Sequence, residues 1–226
     1  MNSSRLSTLA FAALLCSPAG AAPVIWADWT AATAGVNGSA SGFFDLGTDI
    51  NISYTGEIQF AQTNGGTNYW TGDPSPYTSA AVDNKPPTPD IIALSRASSK
   101  TLTFSQAVDN LFFAVVSLNG NGYEFNEDFS ITSFNCGFWG CGTLTRQDVG
   151  NGKFRLIGAG EPHGVIRFNR AVSSITWTSL TNENWNGFSV GTYGIAAAVP
   201  EPTTYAMMAT GLLALGALAR RRRPGR

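Results

Sequence analysis

Through the middle of the chain apolar residues recur at every second position, and no stretch there carries them at every third or fourth. Ile50, Ile52 and Tyr54 alternate with Asn51, Ser53 and Thr55, and Ile58 and Phe60 continue past Gly56. Leu102 and Phe104 alternate with Thr101 and Thr103. A period of two lines one face of a strand, whereas a helix needs a period near 3.6. Asn110 to Leu118 departs from alternation: its centre, Leu-Phe-Phe-Ala-Val-Val, suits a strand buried on both faces. Further strands are expected around Ile131 and Phe134, and over 153–157, 164–168, 174–178 and 187–195, each bounded by Gly, Asn, Asp or Pro. About ten short strands in some 175 residues predict one all-β domain, a two-sheet sandwich of jelly-roll type over 22–198.

One segment breaks the pattern. Residues 63–89 hold Gly65-Gly66, Gly72-Asp73-Pro74 and Lys85-Pro86-Pro87-Thr88-Pro89, which cannot form a central strand. A long surface loop is expected there, with Tyr69, Trp70 and Tyr77 exposed on it.

Charged residues are 13% of the chain, about half the usual quarter. That excludes a charge-rich disordered tail, a coiled coil and a nucleic-acid binder. The distribution is uneven. Between Ala22 and Ala198 lie 14 acidic and 8 basic residues, a net of about −6. The remaining basic residues, Arg5, Arg220, Arg221, Arg222, Arg223 and Arg226, sit at the ends.

The N-terminal end reads as a secretory leader over 1–21. Arg5 supplies the positive region, Leu6 to Leu15 the apolar one, and Ala19-Gly20-Ala21 the small-residue cleavage site. Cys16 lies inside it. The residue before a lipid-modified Cys is normally small and here is Leu15, so Cys16 is expected to leave with the leader. At the other end, Val199-Pro200-Glu201-Pro202 precedes an apolar run from Thr203 to Ala219 and then the Arg220–Arg223 cluster. Seventeen residues at about 1.5 Å each span roughly 25 Å, the short end of a membrane crossing. The arginines would remain cytoplasmic. Pro200 and Pro202 are expected to keep the strip outside the bilayer extended.

These three parts, in order and at the end of the chain, resemble the PEP-CTERM sorting signal. The resemblance covers 199–226 and implies that Pro200, Glu201, Pro202 and Arg220 to Arg223 are read by exosortase, a membrane-embedded cysteine transpeptidase. It implies a transient membrane anchor, cleavage near Pro-Glu-Pro and delivery to the surface or extracellular matrix of a Gram-negative bacterium that makes exopolysaccharide. Ser174 to Thr178 and Glu183 to Gly191 are similar to segments in the bodies of other such proteins, a likeness that brings no activity with it.

With the leader gone, Cys136 and Cys141 are the remaining cysteines, and outside the cytoplasm they should pair. The bridge is expected to fix a hairpin tip carrying Phe138 and Trp139 and to contribute about 2 kcal/mol.

No catalytic motif stands out. Gly187-Phe188-Ser189-Val190-Gly191 has the Gly-x-Ser-x-Gly spacing but falls inside an expected strand rather than at a strand-to-helix turn, and the single His163, in Glu161-Pro162-His163-Gly164, reads as a structural residue of a turn. Asn119-Gly120-Asn121-Gly122 lacks the Lys of a phosphate loop and reads as a turn. No cofactor is expected. Glu124, Glu127 and Asp128 follow that turn and are candidate Ca²⁺ ligands, without an EF-hand or nonapeptide pattern around them. With Glu161 and Glu183 they also supply carboxylates that could pair for glycoside hydrolysis. Trp70, Trp139 and Trp185 lie among Gly, Asn and polar residues, as sugar-stacking platforms do; Trp177, alternating with Ile175, belongs to the core. The expected function is a non-enzymatic exported surface or matrix protein, adhesive or glycan-binding, with exopolysaccharide as its partner. The alternative is a secreted carboxylate-dependent glycan hydrolase.

Overall fold

The computed structural model describes residues 23–195. The leader with Cys16, the Pro-Glu-Pro element, the apolar run and the Arg220–Arg223 cluster lie outside the described residues. Within them the chain forms sixteen strands and no helix. The first seven are β1 (Ile25–Trp26), β2 (Asp28–Thr33), β3 (Gly35–Asp45), β4 (Asp49–Ile58), β5 (Phe60–Gln62), β6 (Ile91–Leu94) and β7 (Ser99–Asp109). There follow β8 (Phe112–Val116), β9 (Gly122–Phe125), β10 (Phe129–Asn135), β11 (Gly142–Gly150) and β12 (Lys153–Gly160). The last are β13 (His163–Phe168), β14 (Val172–Ser179), β15 (Asn186–Thr192) and β16 (Gly194–Ile195).

All pairings are antiparallel, and they make two sheets. One runs β10-β13-β8-β15-β6-β5, with β1 beside the C-terminal half of β15. The other runs β11-β12-β9-β14-β7-β4-β3-β2, with β16 on the end of β7. The sheets bury a common core. Phe113, Val115, Ile166, Phe188 and Val190 come from the first sheet and Ile50, Ile52, Tyr54, Leu102, Leu156, Ile175 and Trp177 from the second. The expected alternation in β4 is observed: Ile50, Ile52 and Tyr54 point in, while Asn51, Ser53 and Thr55 are exposed.

β8 accounts for the apolar run. Phe113 and Val115 face the core between the sheets, whereas Phe112, Ala114 and Val116 face a second apolar cluster on the other side of their sheet. Residues 63–89 cover that side. They form a loop, as expected, whose one backbone bridge joins Ser79 to Val82. The expected exposure of Trp70 and Tyr77 is corrected, because the loop lies on the sheet as a strap and both rings are fully buried in the second cluster. They pack edge to face with centroids 5.1 Å apart, and Trp70 Nε1 donates to Asp90 O at 3.2 Å. A ring stripped of solvent on both faces offers a sugar no platform, so Trp70 acts in packing.

From β12 to β15 the chain changes sheets at each step, as it does on leaving β6, β8 and β10. The connections after β6, β8, β10, β12 and β14 gather at one end of the molecule, since their flanking strands pair end to start there: Val116 with Gly187, Asn135 with His163, and Gly142 with Gly160. The opposite end carries both limits of the described chain. Ile25 pairs with Thr192, and Gly194 with Asp109.

Candidate functional site

The connections gathered at the first end enclose a cleft of about 360 Å³ lined by Ser117, Asn119, Trp139, Glu161, Glu183, Asn184 and Trp185. Every lining residue lies on a connection between strands of different sheets. Ser117 and Asn119 follow β8, Trp139 follows β10, Glu161 follows β12, and Glu183, Asn184 and Trp185 follow β14.

The aromatic wall depends on the disulfide. Cys136 and Cys141 are bonded, as expected. The expected hairpin tip is corrected: β10 and β11 belong to different sheets, so the bridge closes the corner at which the chain changes sheet. Inside it Gly137 N donates to Gly140 O at 2.8 Å, which turns Phe138 and Trp139 outward. Trp139 is 53% exposed. Its ring meets Trp185 edge to face at 6.3 Å and lies nearly parallel to Tyr69 at 6.4 Å. Tyr69, from the strap, contacts Trp185 and Phe138 edge to face, each at 5.0 Å. Phe60 of β5 backs Trp185, also at 5.0 Å.

Behind the corner lies His163. It is the first residue of β13 rather than part of the turn, and it is buried. Nδ1 contacts Tyr77 Oη at 3.0 Å, and Nε2 has no partner among the described residues. Burial pulls its pKa down to about 4, so the ring is neutral. A Cβ on Gly137 would fall 2.3 Å from the imidazole, which therefore serves as the floor of the corner.

The opposite wall is acidic. Glu161 accepts hydrogen bonds from Ser117 Oγ and Asn119 Nδ2. Ser117 holds φ at 54°, a left-handed conformation uncommon outside Gly and Asn, which places its hydroxyl on the carboxylate. Glu183 Oε1 accepts from Asn121 Nδ2 at 3.1 Å and from Asn186 Nδ2, which is itself held by Tyr123 Oη on its Oδ1. Burial raises the Glu183 pKa to about 7; the hydrogen bond from Asn121 opposes the rise, and the charge of Glu161 adds to it. No basic side chain lines the cleft, and among the described residues no ion pair engages either glutamate.

The three Ca²⁺ candidates lie elsewhere, each against an arginine. Arg155 Nε donates to Glu124 at 2.7 Å, Arg170 Nη2 to Glu127 at 2.6 Å, and Arg146 Nε to Asp128 at 3.0 Å. Their carboxylate charge is thus met by guanidinium. No group of three His, Cys, Asp or Glu able to hold a metal ion occurs among the described residues.

Two of the three candidate tryptophans, Trp139 and Trp185, meet in the cleft, and so do two of the five carboxylates, Glu161 and Glu183. Ser117, Asn119 and Asn184 were not singled out by sequence reasoning as site residues. An Asn-Gly-rich connection signals a turn whether or not it borders a cleft.

Among family models, that of the PEP-CTERM protein-sorting motif matches residues 198–223. No curated protein and no solved structure matches the chain.

Proposed function

We propose a binding role for this PEP-CTERM domain-containing protein: it is a non-enzymatic glycan-binding protein of the cell surface or exopolysaccharide matrix. The motif at 198–223 implies export, processing by exosortase and a surface destination. On this reading the leader over 1–21 directs secretion across the inner membrane of a Gram-negative cell. The run from Thr203 to Ala219 anchors the precursor until exosortase cuts near Pro-Glu-Pro. A jelly-roll body then joins the matrix.

The observation that carries the reading is the pairing of Trp139 and Trp185 across a corner of one cleft that also presents Asn119, Asn184 and two glutamates. Flat apolar rings take the C–H faces of a pyranose, and amides and carboxylates take its hydroxyls. The cleft opens at the end opposite to Ile195, the last described residue.

Hydrolysis is the second reading, favoured by Glu183, whose pKa of about 7 suits a general acid. Against it, donors from Ser117, Asn119, Asn121 and Asn186 occupy both carboxylates, as befits acceptors held in place. A glycan array combined with a reducing-end assay separates the readings. Retention without product is expected. New reducing ends, lost on Glu183→Gln, would establish the hydrolase instead. In the host, removal of exosortase should leave a longer, envelope-bound product; unchanged size and release would refute the sorting part.

A further inference from the structure

An acidic cleft walled by aromatic rings is selective in a way that a neutral sugar platform is not. The body has eight basic residues, and three of its arginines already pair with carboxylates, yet none reaches Glu161 or Glu183. A cation in the cleft would meet these carboxylates and the aromatic rings of Trp139 and Trp185, two attractions that reinforce one another. An anionic polymer such as a polyuronate would meet the same carboxylates at close range and be repelled.

Resting on the glycan-binding reading, we infer that the cleft selects polysaccharides carrying free amino groups, with the ammonium between Glu161 and Glu183 and the sugar ring against Trp139 or Trp185. Asn119 and Asn184 face the remaining hydroxyls. A lysine-rich peptide shares the charge but lacks a rigid saturated ring with hydroxyls at its rim. The combination of flat rings with side-chain amides therefore favours the amino sugar.

Calorimetric titration of the full-length chain in detergent tests this. The probes are a glucosamine hexamer, its fully N-acetylated counterpart, a cellulose hexamer and a lysine hexapeptide. The glucosamine hexamer should bind about tenfold more tightly than the acetylated or cellulose hexamer, the worth of one charge-assisted contact. The preference should shrink as salt rises from about 0.05 M to about 0.5 M. It should vanish in the E161Q/E183Q variant while residual sugar binding survives. Equal or tighter binding of the neutral hexamers overturns the charge selection and leaves the glycan reading standing. Binding of none of the sugars overturns both. A lysine peptide that binds as tightly as the glucosamine hexamer replaces the amino sugar with a cationic protein segment.

Discussion

Trp139 and Trp185 meet edge to face with ring centroids 6.3 Å apart, although one rides on the disulfide corner after β10 and the other on the connection into β15. Their meeting is made by the fold. Each stands where the chain changes sheet, at the end where those changes collect. The Cys136–Cys141 bridge controls one of the two rings and should control the site through it. Reduction, or Cys136→Ser with Cys141→Ser, should lower stability by about 2 kcal/mol in the loop-entropy account. Glycan retention should fall further than that loss explains, because Trp139 leaves Trp185 while the sheets persist. Thermal unfolding and array binding, measured with and without reductant, check this. Unchanged retention by the reduced, folded protein would show that the bridge does not position the ring.

Trp70 and Trp139 should respond oppositely to truncation. Trp70 is buried between the strap and the outer side of the seven-stranded sheet, and Trp70→Ala should cost about 4 kcal/mol. Trp139 stands half in solvent, so Trp139→Ala should change stability by less than about 1 kcal/mol while abolishing most retention. Chemical denaturation of both variants, with array binding of Trp139→Ala, is the measurement. A Trp70→Ala protein as stable as the wild type would remove the strap from the core.

Legibility in the sequence followed the source of each signal. β4 and β8 were readable because burial alone wrote their patterns, one face for β4 and two for β8. β3 was not. Gly35, Gly38 and Gly42 leave gaps in its pattern, and no strand is expected there from apolar alternation, yet it is an eleven-residue strand. Gly42 is needed there because a Cβ would fall 2.3 Å from the Asp28 carbonyl oxygen of β2, a reason set by a neighbouring strand and invisible locally. The strap was legible as a loop from its Pro and Gly residues, but not its downward face, since nothing in 63–89 reveals the apolar outer side of β8 beneath it. In the site, Trp139 and Trp185 were legible as ring-bearing turns. The pairing of Glu161 with Glu183 was not, because it depends on which sheet each connection leaves.

His163 should make the protein sensitive to acid. Its folded pKa of about 4 lies below its ordinary value of 6.5, so the neutral ring favours the fold. That contribution is complete above pH 6.5, declines as the unfolded chain takes up the proton, and is lost by about pH 4. His163→Ala should cost about 3 kcal/mol at neutral pH through lost packing under Gly137 and Tyr77. The variant should then lose less stability than the wild type over the same acid range. Parallel stability curves for the two proteins between pH 7 and pH 4 would contradict this account.

Glu183 should act in the opposite sense. Its folded pKa, about 7, lies above the ordinary 4.5, so the protonated carboxyl favours the fold. This contribution is fully present below pH 4.5, diminishes as the unfolded chain ionises, and is lost as the pH rises through about 7. Glu183→Gln keeps an oxygen for Asn121 and Asn186 and removes the titration. Relative to the wild type, the variant should therefore gain in melting temperature between pH 4.5 and pH 7 and hold that gain above. A cationic sugar reverses the balance for the wild type, since it pairs with the ionised carboxylate. Stabilisation by the glucosamine hexamer, measured against the variant at pH 7, should be larger in the wild type. A melting-temperature difference between the two proteins that stays constant from pH 4.5 to pH 7 would mean that Glu183 is not the buried, proton-holding wall of the cleft.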